Sequence, residues 1–279
     1  MSTALVLGGG GPVGVAWELG LLSGLDLPRC ELVLGTASGS IAGAWYASGG
    51  ADDVVGTLSR LAHMLMPPPG SGIGLAVLEA LAATASAADP REPSRALGAL
   101  AAEADTASAE EVVTLFHSLV GSDWPDTFAC TATDAESGDI HTFDSSSGVS
   151  LARAVAASCA LPLVLPVIGI DGRRYMDGGM HDPLNAQFAR GHDLVIAVSC
   201  LPYLDLDSER VHPTTRAQQA NVAPVLAELR AAGSRVEAIE PDEEFRVLSA
   251  DGQGLLDASR IGDAYAAGVR LGAELHGTF

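Results

Sequence analysis

Short apolar runs and longer stripes of apolar residues at helical spacing alternate along the chain. Ala4-Leu5-Val6-Leu7 is wholly apolar and is halted by Gly8-Gly9-Gly10-Gly11, the pattern of a strand buried on both faces of a parallel sheet. Val15, Leu19, Leu22 and Leu25 then recur at helical spacing and predict a helix over 13–25. Glu31-Leu32-Val33-Leu34 reads as a second strand, and the small residues from Ser38 to Ser48 read as a second helix. Strand, glycine loop, helix, strand, tight turn, helix is the rhythm of a doubly wound α/β sheet.

The middle of the chain breaks that rhythm. Pro67 to Gly72 marks a loop, and residues 73–119 are alanine-rich with helical spacing and a break at Asp89-Pro90. A helical insertion over 67–120 is therefore predicted, either a cap over a site or ordinary packing helices. Beyond it, Phe128 to Thr133 reads as a strand with Asp139 to Phe143 as its hairpin partner, and Ser150 to Ser158 as a short helix. Arg173 to Met176 is strand-like, Asp193 to Val198 is a further strand, and 214–229 and 254–275 carry helical spacing. Neither a repeat nor a separating linker interrupts the chain, so residues 1–279 are predicted to form one domain.

Composition narrows the function classes. Hydrophobic residues make up 48% and charged residues 18%, enough apolar material for a large core. The net charge of −20 disfavours nucleic acid and anionic membrane surfaces. All fifteen basic residues are arginine. Cys30, Cys130, Cys159 and Cys200 are scattered without metal-ligand spacing, and reduced thiols are expected. There is no basic leader at the N-terminus and no transmembrane-length apolar run. The expectation is a cytoplasmic protein with at most transient membrane-surface contact; the sequence does not fix an oligomeric state.

Three glycine-flanked segments carry candidate chemistry. Leu34-Gly35-Thr36-Ala37-Ser38-Gly39 has the frame of a nucleophile elbow, a strained strand-to-helix turn admitting only small neighbours, but alanine occupies the apex. Gly8, Gly9, Gly10, Gly11 and Gly14 open a helix and supply clustered backbone N–H groups, an anion-binding nest. Gly9-x-Gly11-x-x-Gly14 also matches a dinucleotide fingerprint, but the second strand lacks the acidic residue that would hold a ribose. Asp177-Gly178-Gly179 follows a strand-like segment, and Asp177 is the candidate general base. His181 is assigned a surface or supporting role, and Asp171, Arg173 and Arg174 are expected at a hairpin turn. Asp205, Asp207 and Glu209 are read as a solvated acidic loop, and Ser40 as a helix cap.

Taken together and in this order, the three segments resemble the patatin-like phospholipase family, whose members carry a glycine-rich oxyanion loop, a GxSxG elbow and a DG[GA] aspartate. Ser158-Cys159-Ala160-Leu161-Pro162 is similar to the small-residue and proline stretch before that aspartate. The resemblance spans most of the chain. It implies a three-layer α/β/α fold with a mostly parallel central sheet and hydrolysis of acyl esters, usually of lipids, by a Ser–Asp dyad. No metal or cofactor is required. Carried onto this sequence, position 37 is the nucleophile, Asp177 the base, and Gly9, Gly10, Gly11 and Ser38 the oxyanion hole.

Two positions depart from the pattern. Val13 stands where many members have arginine or lysine, so a cation beside the oxyanion loop is lost. Ala37 lacks the hydroxyl, and loss of such a nucleophile costs on the order of 10⁶-fold in turnover. The alanine fits an engineered serine-to-alanine change, a natural non-catalytic binder of acyl ligands, or a nucleophile displaced to Ser38. The same site chemistry also permits acyl transfer to an acceptor other than water.

Overall fold

Eight strands between Thr3 and Ile239 form one sheet in the computed structural model, which describes residues 1–66, 91–180, 182–204, 206–207 and 209–279. The strands are β1 (Thr3–Leu7), β2 (Leu32–Thr36), β3 (Phe128–Asp134), β4 (Ile140–Asp144), β5 (Ile168–Ile170), β6 (Arg173–Asp177), β7 (Leu194–Val198) and β8 (Arg235–Ile239). Their order is β5-β6-β3-β2-β1-β7-β8, with β4 paired to β3. The pairs β8–β7, β7–β1, β1–β2 and β2–β3 are parallel; β3–β4, β3–β6 and β5–β6 are antiparallel.

β1 lies at the centre and is buried throughout. Its alternate residues serve two cores because successive side chains leave opposite faces of a strand. Leu5 and Leu7 point into a cluster built with helices α1 (Gly11–Gly24), α2 (Gly39–Ala47), α3 (Val54–Leu65), α5 (Ala109–Val120), α6 (Leu151–Ser158) and α10 (Ile261–Glu274). Ala4 and Val6 point into the other, with α8 (Val222–Ala231) and the 3-10 helix Ala186–Ala189. Three layers result. Helix α1 is buried from Val13 to Leu22, which is why its sequence is apolar on every side except at Glu18. It packs tightly on α10, where a Cβ on Gly268 would strike the backbone of Trp17.

Several elements differ from the sequence expectation. The stretch 214–229 is split into α7 (Pro213–Gln219) and α8, and α10 starts at Ile261 rather than 254. β8 and α9 (Glu243–Ser249) were not predicted. β8 is an edge strand reading Arg-Val-Glu-Ala-Ile, too short and too charged to stand out. β5 is only three residues long and equally silent. Of the predicted insertion over 67–120, residues 67–90 lie outside the described residues; the remainder forms α4 (Arg91–Glu103) and α5. Helix α4 buries Leu97 against Ala135 and Met176, while α5 is tied to α2 by the Trp45 indole N–H donating to the Leu119 carbonyl at 2.9 Å. No helix among the described residues is long and apolar enough to cross a membrane.

Candidate active site

Sheet register brings two strand ends together. β4 occupies one edge of β3 from Ala129 to Thr133, so β2 and β6 must share the other edge. β2 runs along it until Thr36 faces Thr131; β6 arrives from the opposite direction and stops with Asp177 facing Ala132. The residue after Thr36 and the last residue of β6 are therefore neighbours, although 140 positions separate Ala37 from Asp177 in the sequence.

Ala37 sits at the apex of a sharp turn with φ of 52°, a left-handed conformation that costs a non-glycine residue about 1–2 kcal/mol. Its flanks must be glycine. A Cβ on Gly35 would run into the backbone of Ser40, and one on Gly39 into the carbonyls of Leu7 and Gly8. The turn is pinned through the Ala37 carbonyl, which accepts from the Ser40 N–H at 2.9 Å, the Ser40 hydroxyl at 2.6 Å and the Cys159 thiol at 3.1 Å. The expectation that Ser40 caps the helix is thus corrected: its hydroxyl donates back to the apex carbonyl, and α2 has no side-chain cap.

The glycine loop faces this turn. A Cβ on Gly9 would lie 3.1 Å from that of Ala37. Not every N–H of the loop is open. Gly9 donates to the Pro183 carbonyl at 2.9 Å, so its expected place in the oxyanion hole gives way to a wall position. Gly10 donates to the Ser38 hydroxyl at 2.7 Å. Among the described residues nothing takes the N–H of Gly11 or Ser38, and Gly14 N–H closes the first turn of α1 on the Gly10 carbonyl. The Ser38 hydroxyl is held by the loop and makes no bond to Asp177, as an apex-adjacent side chain should.

Asp177 is 6% exposed. Burial pushes its carboxyl up to about 7, against the lowering effect of the Gly179 N–H, which donates to Oδ1 at 2.7 Å. Its own N–H and that of Gly178 donate to Ala160 and Ser158 at the end of α6, both at 3.0 Å. The stretch from Ser158 to Ala160 therefore holds the aspartate turn while its Cys159 thiol holds the apex. That thiol, half-buried and pushed by desolvation well above the ordinary cysteine range, is a spacer rather than a nucleophile.

Ala37, Ser38, Asp177, Gly179 and the loop Gly9 to Gly11 line one cavity of about 200 Å³. Its remaining wall is apolar and drawn from four directions: Ile41 of α2, Leu58, Leu61 and Leu65 of α3, Phe116 of α5, and Leu161 and Leu165 after α6. The C-terminal part adds Leu201, Leu255 and Leu256. The loop carrying Leu255 covers the glycine loop, its carbonyl accepting from Val13 N–H at 3.3 Å, and is anchored by Asp251 between Arg246 at 2.7 Å and Arg210 at 3.1 Å. Asp177 is the single carboxylate among the described lining residues, and no arginine or histidine appears with it.

Among the described residues no cluster of three His, Cys, Asp or Glu is arranged to hold a metal ion. His181 and Asp205 lie outside the described residues, while Asp207 and Glu209 are exposed. Asp171 and Gly172 form the β5–β6 turn with φ of 47° and 77°, as expected for that hairpin. The four cysteines are free. Sequence reasoning missed the segment Asp182 to Asn185, whose carbonyls and amide reach three of the loops; an asparagine two residues beyond a proline was the one available hint.

The model of the patatin-like phospholipase family matches residues 5–190. No curated protein matches significantly. Among solved structures, VipD from Legionella pneumophila aligns over 95% of this chain and 67% of its own, with 14% identity and a TM-score of 0.39. With two thirds of its length matched by the family model, including the glycine loop, the elbow and the aspartate turn, the chain belongs to the patatin-like phospholipases.

Proposed function

We propose that this fold hydrolyses acyl esters with uncharged or zwitterionic heads when residue 37 is serine, and that the Ala37 chain binds such ligands without turning them over. The single observation carrying the reading is the shared cavity. A strained elbow apex, two open N–H groups and a buried carboxyl near pKa 7 line one apolar chamber.

In the serine form, Oγ attacks the ester carbonyl while the Asp177 carboxylate takes its proton. A base with pKa near the working pH balances being deprotonated against holding the proton it receives. The carbonyl oxygen becomes an oxyanion held by the N–H groups of Gly11 and Ser38. Gly10 N–H joins them once the Ser38 hydroxyl turns away. Collapse of the tetrahedral intermediate breaks the bond to the leaving alkoxide, which takes the proton back from Asp177. Water, deprotonated by the same carboxylate, then releases the acyl group as the free acid.

The apolar walls fit the acyl chain. The uncharged head follows from Val13 and from the absence of a cation in the described lining. The non-catalytic reading for the chain as it stands is favoured by Ala37 itself. Assaying Ala37→Ser against p-nitrophenyl esters and phospholipids of graded chain length tests the proposal. Robust ester hydrolysis by the variant, with the parent inactive but still binding fatty acid, supports it. No hydrolysis by the variant leaves the binder alone standing, and hydrolysis by the parent that Ser38→Ala abolishes moves the nucleophile to Ser38.

A further inference from the structure

Asn185 is fully buried, adopts φ of 53°, and lines no part of the cavity. Its side-chain nitrogen nevertheless lies 2.9 Å from the Gly178 carbonyl, 3.2 Å from the Thr36 hydroxyl and 3.3 Å from the Thr131 hydroxyl. The orientation of the amide is unambiguous, because the Gly178 carbonyl only accepts; the opposite oxygen accepts from the Gln187 amide at 3.2 Å. Thr36 and Thr131 are linked to each other at 3.0 Å, and the Thr36 hydroxyl lies 3.2 Å from the Leu184 carbonyl that accepts from it.

The residues just before Asn185 reach further. Asp182, itself 2% exposed, accepts the N–H groups of Leu184 and Asn185 and so fixes the turn. The Pro183 carbonyl holds the Gly9 N–H. One four-residue segment thus grips the glycine loop, the residue before the elbow apex and the residue after Asp177. A site with two catalytic groups has no third side chain to orient its base, so the separation of position 37 from Asp177 rests on the backbone that carries them.

We propose that Asn185 is a positioning residue for the reaction, its amide setting the distance between the side chain at position 37 and the Asp177 carboxylate by tying Thr36 to Gly178. The assignment rests on the acyl-hydrolase reading for its kinetic consequence, but its effect on Asp177 stands without it. Glycine keeps the left-handed backbone and removes the amide, so Asn185→Gly separates the two contributions. Asn185→Asp keeps the shape but sets a carboxylate against the Gly178 carbonyl.

In the Ala37→Ser background both substitutions are expected to lower kcat about 10²-fold with KM within a few-fold, the scale of a misplacement near 1 Å. In the unmodified Ala37 chain, the Asp177 carboxyl followed by carbon-13 NMR should titrate nearer the ordinary carboxylate range in Asn185→Gly, as the loosened turn admits water. Thr131→Val, which cuts one arm of the clamp in a residue of the same shape, should shift both readouts the same way by a smaller factor and covers the case in which Asn185→Gly does not fold. Variants that lose melting temperature yet keep kcat and the Asp177 titration would overturn the proposal and leave Asn185 a packing residue. If Ala37→Ser hydrolyses nothing, the functional reading falls while the titration in the Ala37 chain still decides Asn185.

Discussion

Asp177 and Glu18 are both carboxylic acids buried against the glycine loop, and burial raises both; of the two, Asp177 lines the cavity beside Ala37. Asp177 keeps a backbone N–H on one oxygen and opens onto the apolar chamber beside Ala37. Glu18, on α1, is completely enclosed and raised well above the ordinary carboxylate range. The Cys200 thiol and the Gly8 backbone face it, yet neither of its oxygens makes a hydrogen bond of ordinary geometry. A raised pKa therefore marks desolvation, not chemistry. What makes Asp177 a candidate base is its place at the meeting of two strand ends with donors and space around it.

The largest expected effect contrasts the two acids directly. In Ala37→Ser, Asp177→Asn should reduce ester hydrolysis by about 10⁴-fold or more, whereas Glu18→Gln should stay within a few-fold. Equal losses would erase the distinction. In the same background kcat/KM should rise with pH and reach half its plateau near pH 7, where Asp177 gives up its proton.

Stability gives the next contrast. An aspartate ionises near 3.9 in an unfolded chain and Asp177 at about 7 in the fold, so between those values the unfolded chain sheds a proton that the folded one retains. Folding stability falls as pH rises through that window and is level on either side. Asp177→Asn removes the penalty and should add roughly 4 kcal/mol at pH 8 and nothing near pH 3, read by urea unfolding. Glu18→Met, which replaces an unpartnered buried acid by an apolar chain of similar size, should add about 2 kcal/mol near pH 8 and less at pH 4. A destabilised Glu18→Met protein would show that Glu18 has a partner after all. The smallest effect is at the apex: Ala37→Gly should add about 1 kcal/mol by relieving the left-handed backbone, measured as a small rise in melting temperature.

Much of the parallel half of the fold was legible. β1, β2 and β7 announce themselves as short apolar runs, α1 as a stripe of apolar residues at helical spacing, and α2 as a run of small residues after the tight turn. The antiparallel half was only partly so, since β4 and β6 read as strands while the three-residue β5 carries no signal. The edge strand β8 was missed, and so was the break that divides the predicted helix at 214–229, because half-exposed segments mix polar and apolar residues without a clean period. In the site, the identities at 37, 177 and the glycine loop were readable from motif spacing, but the state of the donors was not. That Gly9 N–H is committed to Pro183 and Gly10 N–H to Ser38 depends on residues that are distant in the chain.

The sequence by itself determined the local requirements: glycines at 35 and 39 where a Cβ has no room, small residues around the apex, apolar runs where strands are covered on both faces, and the absence of a hydroxyl at 37. Tertiary structure alone decided what those parts add up to. It set β2 and β6 end to end on one edge of β3, closed the chamber with α3, α5 and the 251–256 loop, and drew Asn185 into contact with Thr36 and Gly178. The physical reason is that steric and hydrophobic demands act between near neighbours and leave a period in the chain. Strand register and the pairing of buried polar groups join residues as far apart as Thr36 and Asn185, 149 positions along the chain, and leave none.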